Sequence, residues 1–600
     1  MDKNTVVGFS LIFLLMLGWF YFTMPSEEQL AEQRKQQAIQ DSLAFVQQEL
    51  DRDAFEEAPA PEIQTSLTEN NSSDKNSAAQ SGMFSVNQEA EQTEFTIETD
   101  LYTAVFTNKG AGPAEFTLKT HKTWAGTPIQ LISDTTRSAY NAGFLTTENY
   151  NVETQNVLFR QVNAGRSFTI NEGDSKELTY VLELENGRQL QYSYTFYGDN
   201  YEVDLDIRFV GLREYVIGHA VDFGWNTSLR FTEKDRVQEA LATSAYFYAG
   251  GELEQLKADD FEENDGLKEQ SVNGNIDWVA TKTKFFTQII QPTTETDGAY
   301  LKGQVNGKVD DPLTDHDYSA SVTSDIPSDG VISYRLYLGP MKYYDVKNFN
   351  EHAFDMVEVG YGWLRWFSDP FVRFIVIPFF TFFSGFIPNY GVLIIIFAAS
   401  VKLILSPLTV KSYRSMAAMK ELQPQMKEIQ DKYKDNPQKQ QKATMALYKT
   451  NKVNPLGGCL PMLLQFPILI TLWRFFQNSI LLRQEPFLWV SDLSAPDYII
   501  DLPFTIPFLG SQIAGLVLLM TASMVLQSRV TSNTSAGGSS NPMAQQMKIM
   551  QYFLPFMLLF VFNNFASGLS LYYLVFNLLS IVQQLYINKT THEAAVSKVS

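Results

Sequence analysis

The spacing of apolar positions divides the chain into two kinds of territory. From about Phe95 they alternate with polar ones: Leu190, Tyr192, Tyr194 and Phe196, then Tyr201, Val203, Leu205, Ile207 and Phe209, and later Ile332, Tyr334, Leu336 and Leu338. Side chains two apart share one face of a strand, so this period predicts half-buried strands. Asn186-Gly187 between two such runs predicts a hairpin, because both residues tolerate the positive φ of a tight turn. The region 93–350 is therefore expected to be an all-β sandwich.

Elsewhere the apolar positions run together. Val6 to Met24 is free of charge for 19 residues, enough to span hydrocarbon ~30 Å thick. It ends in bulky residues rather than a small-residue cleavage site, which predicts an uncleaved signal anchor, 1–24. The window Phe374 to Val401 contains Pro378 and Pro388. It is expected to split into an interfacial amphipathic segment, 351–388, bearing Trp363, Arg365, Trp366 and Arg373, and a span from Tyr390 to Leu408. Val453–Trp473 and Leu502–Ser528 predict two more spans. Ile549 to Asn588 would be ~60 Å long as one helix, so it is expected to be two spans with a turn near Asn563 to Gly568. The expected fold is a multi-pass α-helical membrane protein with six transmembrane helices plus an all-β domain.

Charge then orients the chain. Residues 409–454 hold 10 Lys/Arg against 4 Asp/Glu, and 528–548 hold 2 against 0, whereas 479–505 hold 1 against 4. Loops rich in Lys and Arg stay inside, so both termini are expected in the cytoplasm and 25–350 outside. Within the outer part, 25–92 is an acidic polar linker rich in Gln, Glu, Ser and Asn. In the loop 409–454, Met416, Met419, Leu422, Met426, Ile429 and Tyr433 recur at helical spacing, and Asp435-Asn436-Pro437 breaks the run. This predicts a basic helical hairpin with a soft, Met-rich seam suited to shifting partners. The core proper is 389–588, and 589–600 is a cytoplasmic tail.

Candidate chemistry is sparse. A formal charge of −21 argues against nucleic-acid binding. One cysteine, Cys459, and five histidines without a motif leave no metal site, cofactor site or catalytic residue in view, and an enzyme is not expected. Two features inside the spans stand out. Lys402 is the one charge between Arg373 and Lys411. Ser570, Tyr573, Asn577, Ser580 and Gln584, spaced 3, 4, 3 and 4, put a polar stripe on the last span. Such a stripe can join helices or line a wet interior, and a lysine kept in the membrane favours the second. Gln465, between Pro461 and Pro467, is a further candidate for that surface. A solute transporter or channel is the competing class, although no internal repeat is visible.

At these residues the chain resembles the YidC membrane-protein insertase family (the YidC/Oxa/Alb group). The resemblance rests on NYGVLIIIFAASVKLILSPLT from Asn389, NPLGGC from Asn454 and SGLSLYY from Ser567. It implies the Gram-negative type, a bacterial inner-membrane insertase and chaperone with a periplasmic β-supersandwich and a five-helix core. Its implied partners are nascent membrane proteins, the lipid bilayer, the Sec translocon and the ribosome. It also implies a hydrophilic substrate groove, in which Lys402 takes the place of the usual arginine, Ala398 falls where some members have a substrate-contacting threonine, and Tyr573 takes the place of a substrate-contacting tyrosine.

Overall fold

A computed structural model describes Phe84 and residues 91–133, 137–257, 266–307, 311, 314–433, 437–451, 460–506, 509–532, 553 and 555–596. The expected signal anchor, almost all of the linker and Cys459 lie outside the described residues.

Among the described residues, three sheets build the β-domain. The largest has nine strands, in the spatial order Glu252–Lys257, Ser244–Ala249, Trp278–Lys282, Phe286–Pro292, Val331–Pro340, Glu202–Val210, Gln189–Tyr197, Ser175–Glu183 and Arg160–Gln161. A six-stranded sheet runs Leu267–Asn273, Thr296–Asn306, Asp315–Asp325, Ala220–Trp225, Tyr140–Leu145 and Asn151–Glu153. A five-stranded sheet is centred on Tyr102–Thr107. The alternation sorts as expected: Leu190, Tyr192, Tyr194 and Phe196 are all buried, while the residues between them are half-exposed. Glu183 pairs with Gln189 across the Asn186-Gly187 turn, and both turn residues have positive φ. The sheets meet through aromatic rings. Phe223 of the six-stranded sheet stacks on Tyr334 of the nine-stranded sheet at 4.5 Å, and Phe106 of the five-stranded sheet meets Tyr194 edge-on at 4.9 Å.

Among the described residues, three helices are long and apolar enough to cross a membrane: Gly362–Ser384, Tyr390–Val410 and Ser567–Ile587. The first is broken by Pro370 and by a π-helical turn over Val372–Val376, and it leaves Trp363, Trp366, Phe374 and Phe382 exposed. The second belongs to a helix that continues to Glu421 and then breaks, with Pro424 in the first turn of the next helix, Gln423–Lys432. That helix pairs with Pro437–Thr450 to make the expected hairpin; the Tyr448 hydroxyl reaches the Met426 sulfur at 3.2 Å. Met426, Ile429 and Tyr433 are half-buried along the seam, and the side chains of Met416 and Met419 are outside the described set.

Two windows change. The third helix is described from Leu460 to Asn478. The window Leu502–Ser528 is not one helix: Tyr498–Ile506 and Gly510–Ala514 form an antiparallel hairpin, and the helix starts only at Gly515. Asp497 sets that start, because its carboxylate accepts the Leu516 N–H at 2.8 Å and its carbonyl accepts the Gly515 N–H at 3.1 Å. Residues 555–562 are helical and turn at Asn563, so the long last window divides where expected.

Candidate functional site

The helix from Tyr390 begins at Asn389, whose side chain accepts the Val392 N–H at 3.1 Å. Twelve residues beyond Tyr390, or about 18 Å along the axis, comes Lys402. The last helix, Ser567–Val596, packs closely against this one. Lys402 is 5 % exposed; its Nζ donates to the Ser580 hydroxyl at 2.7 Å and lies 4.8 Å from the centre of the Phe576 ring. Ser580 in turn donates its hydroxyl hydrogen bond to the Phe576 carbonyl at 2.7 Å. The serine is thereby set as an acceptor toward the lysine, an arrangement that positions a cation and does not prepare a nucleophile.

The rest of the stripe is equally buried. Asn577 donates to Ser523 at 3.1 Å, a partner on the helix Gly515–Ser532, and Ser523 donates to the Met520 carbonyl at 2.6 Å. Gln465 lies beside the Tyr573 hydroxyl. Ala398 is buried one turn from Lys402 on the same helix, and Gln584 is buried one turn beyond Ser580. The hydroxyls of Ser570, Tyr572 and Thr521 are buried with no hydrogen-bond partner among the described residues. Lys402, Ser580, Asn577, Tyr573 and Gln465 are thus gathered between the same few helices, with Ser570 at the end nearer the β-domain. Ser523, Thr521 and the pair Gln583–Ser406, bonded at 2.8 Å, belong to the polar set too. They form no helical stripe in the sequence, and only the packing of the helices brings Gln583 to Ser406 and Asn577 to Ser523.

The end of the bundle nearest the β-domain is closed by the segment 479–514. Ser567 and Gly568, the first residues of the last helix, donate N–H groups to the Ala495 and Leu493 carbonyls at 2.9 Å each. A Cβ on Gly568 would come to 3.0 Å from the Leu493 carbonyl oxygen, so a larger residue here would need that backbone to give by a few tenths of an ångström. Asn563 is fully buried; it accepts the Ala514 N–H at 2.9 Å and donates to the Leu509 and Gln512 carbonyls at 2.9 and 2.8 Å.

Charged pairs tie this end to the β-domain. Arg483 meets Glu233 at 2.7 Å and also donates to the Lys122 carbonyl at 2.7 Å. Glu358 accepts from Arg474 and sits 2.6 Å from Lys257. Burial alone would raise the Glu358 carboxyl, but Lys282, Arg474 and Lys257 hold it down to about 2. The loop bearing Glu233 is itself fixed by Glu239, whose carboxylate accepts the Thr232 and Glu233 N–H groups at 2.9 and 2.8 Å. Arg483 is the lone cation of its acidic loop, which was the available signal.

Comparison with known proteins agrees with this architecture. The family described as 60Kd inner membrane protein matches residues 382–594, and the YidC periplasmic domain matches 94–374. Membrane protein insertase YidC of Chlorobium luteolum is 38 % identical over 100 % of this chain and 97 % of its own. That of Chlorobaculum parvum is 35 % identical over 99 % and 95 %. An active YidC insertase solved with its first transmembrane domain has 19 % identity and a TM-score of 0.32, over 82 % of this chain and 92 % of its own. The chain belongs to the YidC family.

Proposed function

We propose, with that membership as the premise, that the chain is a membrane-protein insertase and chaperone of the bacterial inner membrane, not an enzyme. The observation that carries the reading is Lys402: a buried cation on a membrane-length helix, bonded to the polar stripe of the last helix. Lys402, Ala398, Gln465, Ser570, Tyr573, Asn577, Ser580 and Gln584 line the substrate groove. A polar segment entering it exchanges water for these side chains rather than for hydrocarbon, and the cation attracts its acidic residues. The apolar part of the substrate then moves into lipid, driven by burial of its apolar surface. The orphaned hydroxyls of Ser570, Tyr572 and Thr521 support the reading, because such groups call for water or a polar guest.

The chain crosses the membrane six times with both termini in the cytoplasm, and the β-domain lies in the periplasm. The spans are 1–24, the helices starting at Tyr390, Leu460 and Gly515, residues around 555–562, and the helix from Ser567. The segment Gly362–Ser384 lies along the interface; its breaks and its exposed Trp363 and Trp366 suit the headgroup region. The hairpin around 409–454 receives nascent chains and contacts the ribosome, and the core works alone or with the Sec translocon. Purified protein in proteoliposomes tests the reading. Insertion of a single-span substrate without solute uptake is expected; uptake without insertion would make the chain a transporter.

A further inference from the structure

Two tight turns hold large apolar side chains out of the protein, and the insertion reading uses neither. Phe487 and Val490 exchange backbone hydrogen bonds at 2.9 Å each, which leaves Leu488 and Trp489 at the tip of a two-residue turn. Leu488 has φ +54° at the first central position, where glycine is usual, and it is 73 % exposed. A bulky residue here costs backbone strain and, in water, the hydration of a large apolar side chain, so the position asks for an apolar contact. The second turn, 123–127, joins the strands Gly112–Lys122 and Pro128–Ser133. The Thr123 N–H donates to the Thr127 carbonyl at 2.7 Å, and Trp124 at the tip is 61 % exposed.

The two turns belong to one joint, and the joint fixes their depth. Arg483 and Gln484, just before the first turn, both donate to the carbonyl of Lys122, just before the second, at 2.7 and 2.8 Å. The Phe487 ring fills the space over Gly391, where an added Cβ would collide with it, and the Asn389 side chain donates to the Pro486 carbonyl at 3.4 Å. Asn389 and Gly391 begin the helix Tyr390–Val410, which is long and apolar enough to cross a membrane. Both turns are therefore tied to the level where that helix enters the bilayer, the depth at which Trp is enriched. Lys122 is exposed two residues from Trp124, and its stem can lie along apolar surface while its charge reaches phosphate. Backbone groups at the turn tips need water or headgroups, which keeps both turns out of the hydrocarbon centre.

We infer that Leu488 and Trp124 rest together in the outer leaflet, at the boundary between headgroups and acyl chains, and so seat the β-domain on the bilayer beside the start of the span. The ligand class is a phospholipid surface: its acyl boundary takes up the leucine and the indole, and its phosphates meet Lys122. The inference rests on the span assignment above.

Single cysteines replace Leu488, Ala125 (next to the retained Trp124), Glu185 (an exposed turn residue of the β-domain) and Leu403 (an exposed position on the helix from Tyr390). Each carries an environment-sensitive fluorophore in the full-length protein with Cys459→Ser, reconstituted in phosphatidylethanolamine–phosphatidylglycerol vesicles containing a doxyl-lipid quencher. Labels at 488 and 125 are expected to be quenched roughly threefold more by lipid than the label at 185, and aqueous iodide is expected to give the reverse order. If the Leu403→Cys label is quenched by lipid but 488 and 125 behave like 185, the inference is wrong and the span reading stands. Quenching by lipid at one of the two turns alone overturns the two-point contact. If 488 and 125 are shielded from both quenchers, a protein surface covers them, which overturns the lipid assignment. If the Leu403→Cys label itself is not quenched, the span reading fails and takes the inference with it.

Discussion

The β-domain and the helical bundle each bury charged groups, and they hold them in different ways. Where the β-domain faces the bundle, charge meets charge: Arg483 with Glu233, and Glu358 with Lys257 and Arg474. Inside the bundle, Lys402 is held by the Ser580 hydroxyl and the Phe576 ring. Removing one member of a buried ion pair strands the other, so the first arrangement suits a fixed joint. The proposed function asks Lys402 to offer its charge to an arriving carboxylate. On the proposed reading, polarity at the joint is for holding and polarity in the bundle is for use.

The largest effect that would break this contrast is expected away from both regions, in the helical hairpin of Gln423–Lys432 and Pro437–Thr450. Deleting 411–450 is expected to abolish rescue of a strain depleted of its own insertase while the protein still integrates into membranes. Unchanged rescue would reduce the hairpin to a topology signal.

Next in size is the closure at the β-domain end of the bundle. Asn563→Ala leaves one N–H and two carbonyls of the 509–514 segment without their partner, at about 1–3 kcal/mol for each group that water cannot reach. A clear fall in melting temperature in detergent is expected. A melting temperature equal to that of the unaltered protein would show that the closure is held by other contacts.

A smaller effect sharpens the picture of the joint. Burial raises the Glu239 carboxyl to about 7 despite the N–H groups it accepts, so folding takes up a proton between about pH 4.5 and 7. The stability of the β-domain is therefore expected to fall as pH rises through that window. Glu358 works in the opposite sense: its stabilisation is present above about pH 4.5 and is lost as pH falls toward 2. Proteolysis of the full-length protein at pH 6 and pH 8 is expected to show faster cleavage at pH 8. Glu239→Gln is expected to remove the difference, whatever it does to overall stability.

The smallest expected effect is on activity when the β-domain goes. Deleting about 60–320 removes Glu233, Lys257 and Lys122, yet it also opens Arg483 to water, which solvates the stranded charge. Rescue is expected to be largely retained. Complete failure of a stably expressed deletion would move function into the β-domain.

Much of this was legible in the chain because the signals were local. The strand alternation, the Asn186-Gly187 turn, Lys402 and the stripe from Ser570 to Gln584 are all periodicities within a single element. The strand Tyr498–Ile506 was missed because a window scored for absence of charge hides a period of two; Ile500, Leu502, Phe504 and Ile506 alternate with Asp501, Pro503 and Thr505, and the last three of the four fall inside the window Leu502–Ser528 taken for a span. Asn563 and Ser523 could not be read at all. Their roles come from partners about fifty residues away, the Ala514 N–H and the Asn577 amide, brought near only by the packing of helices.

The central claim is that the charge of Lys402 acts on the substrate, and one measurement tests it most directly. Two single-span substrates, identical except for an acidic or a neutral translocated segment, are inserted into proteoliposomes bearing the unaltered protein, Lys402→Arg or Lys402→Ala. Lys402→Ala is expected to lower insertion of the acidic substrate about tenfold, equivalent to roughly 1.4 kcal/mol. The neutral substrate is expected to change little, and Lys402→Arg is expected to restore the acidic one. Equal losses for both substrates, or no loss for either, would contradict the account.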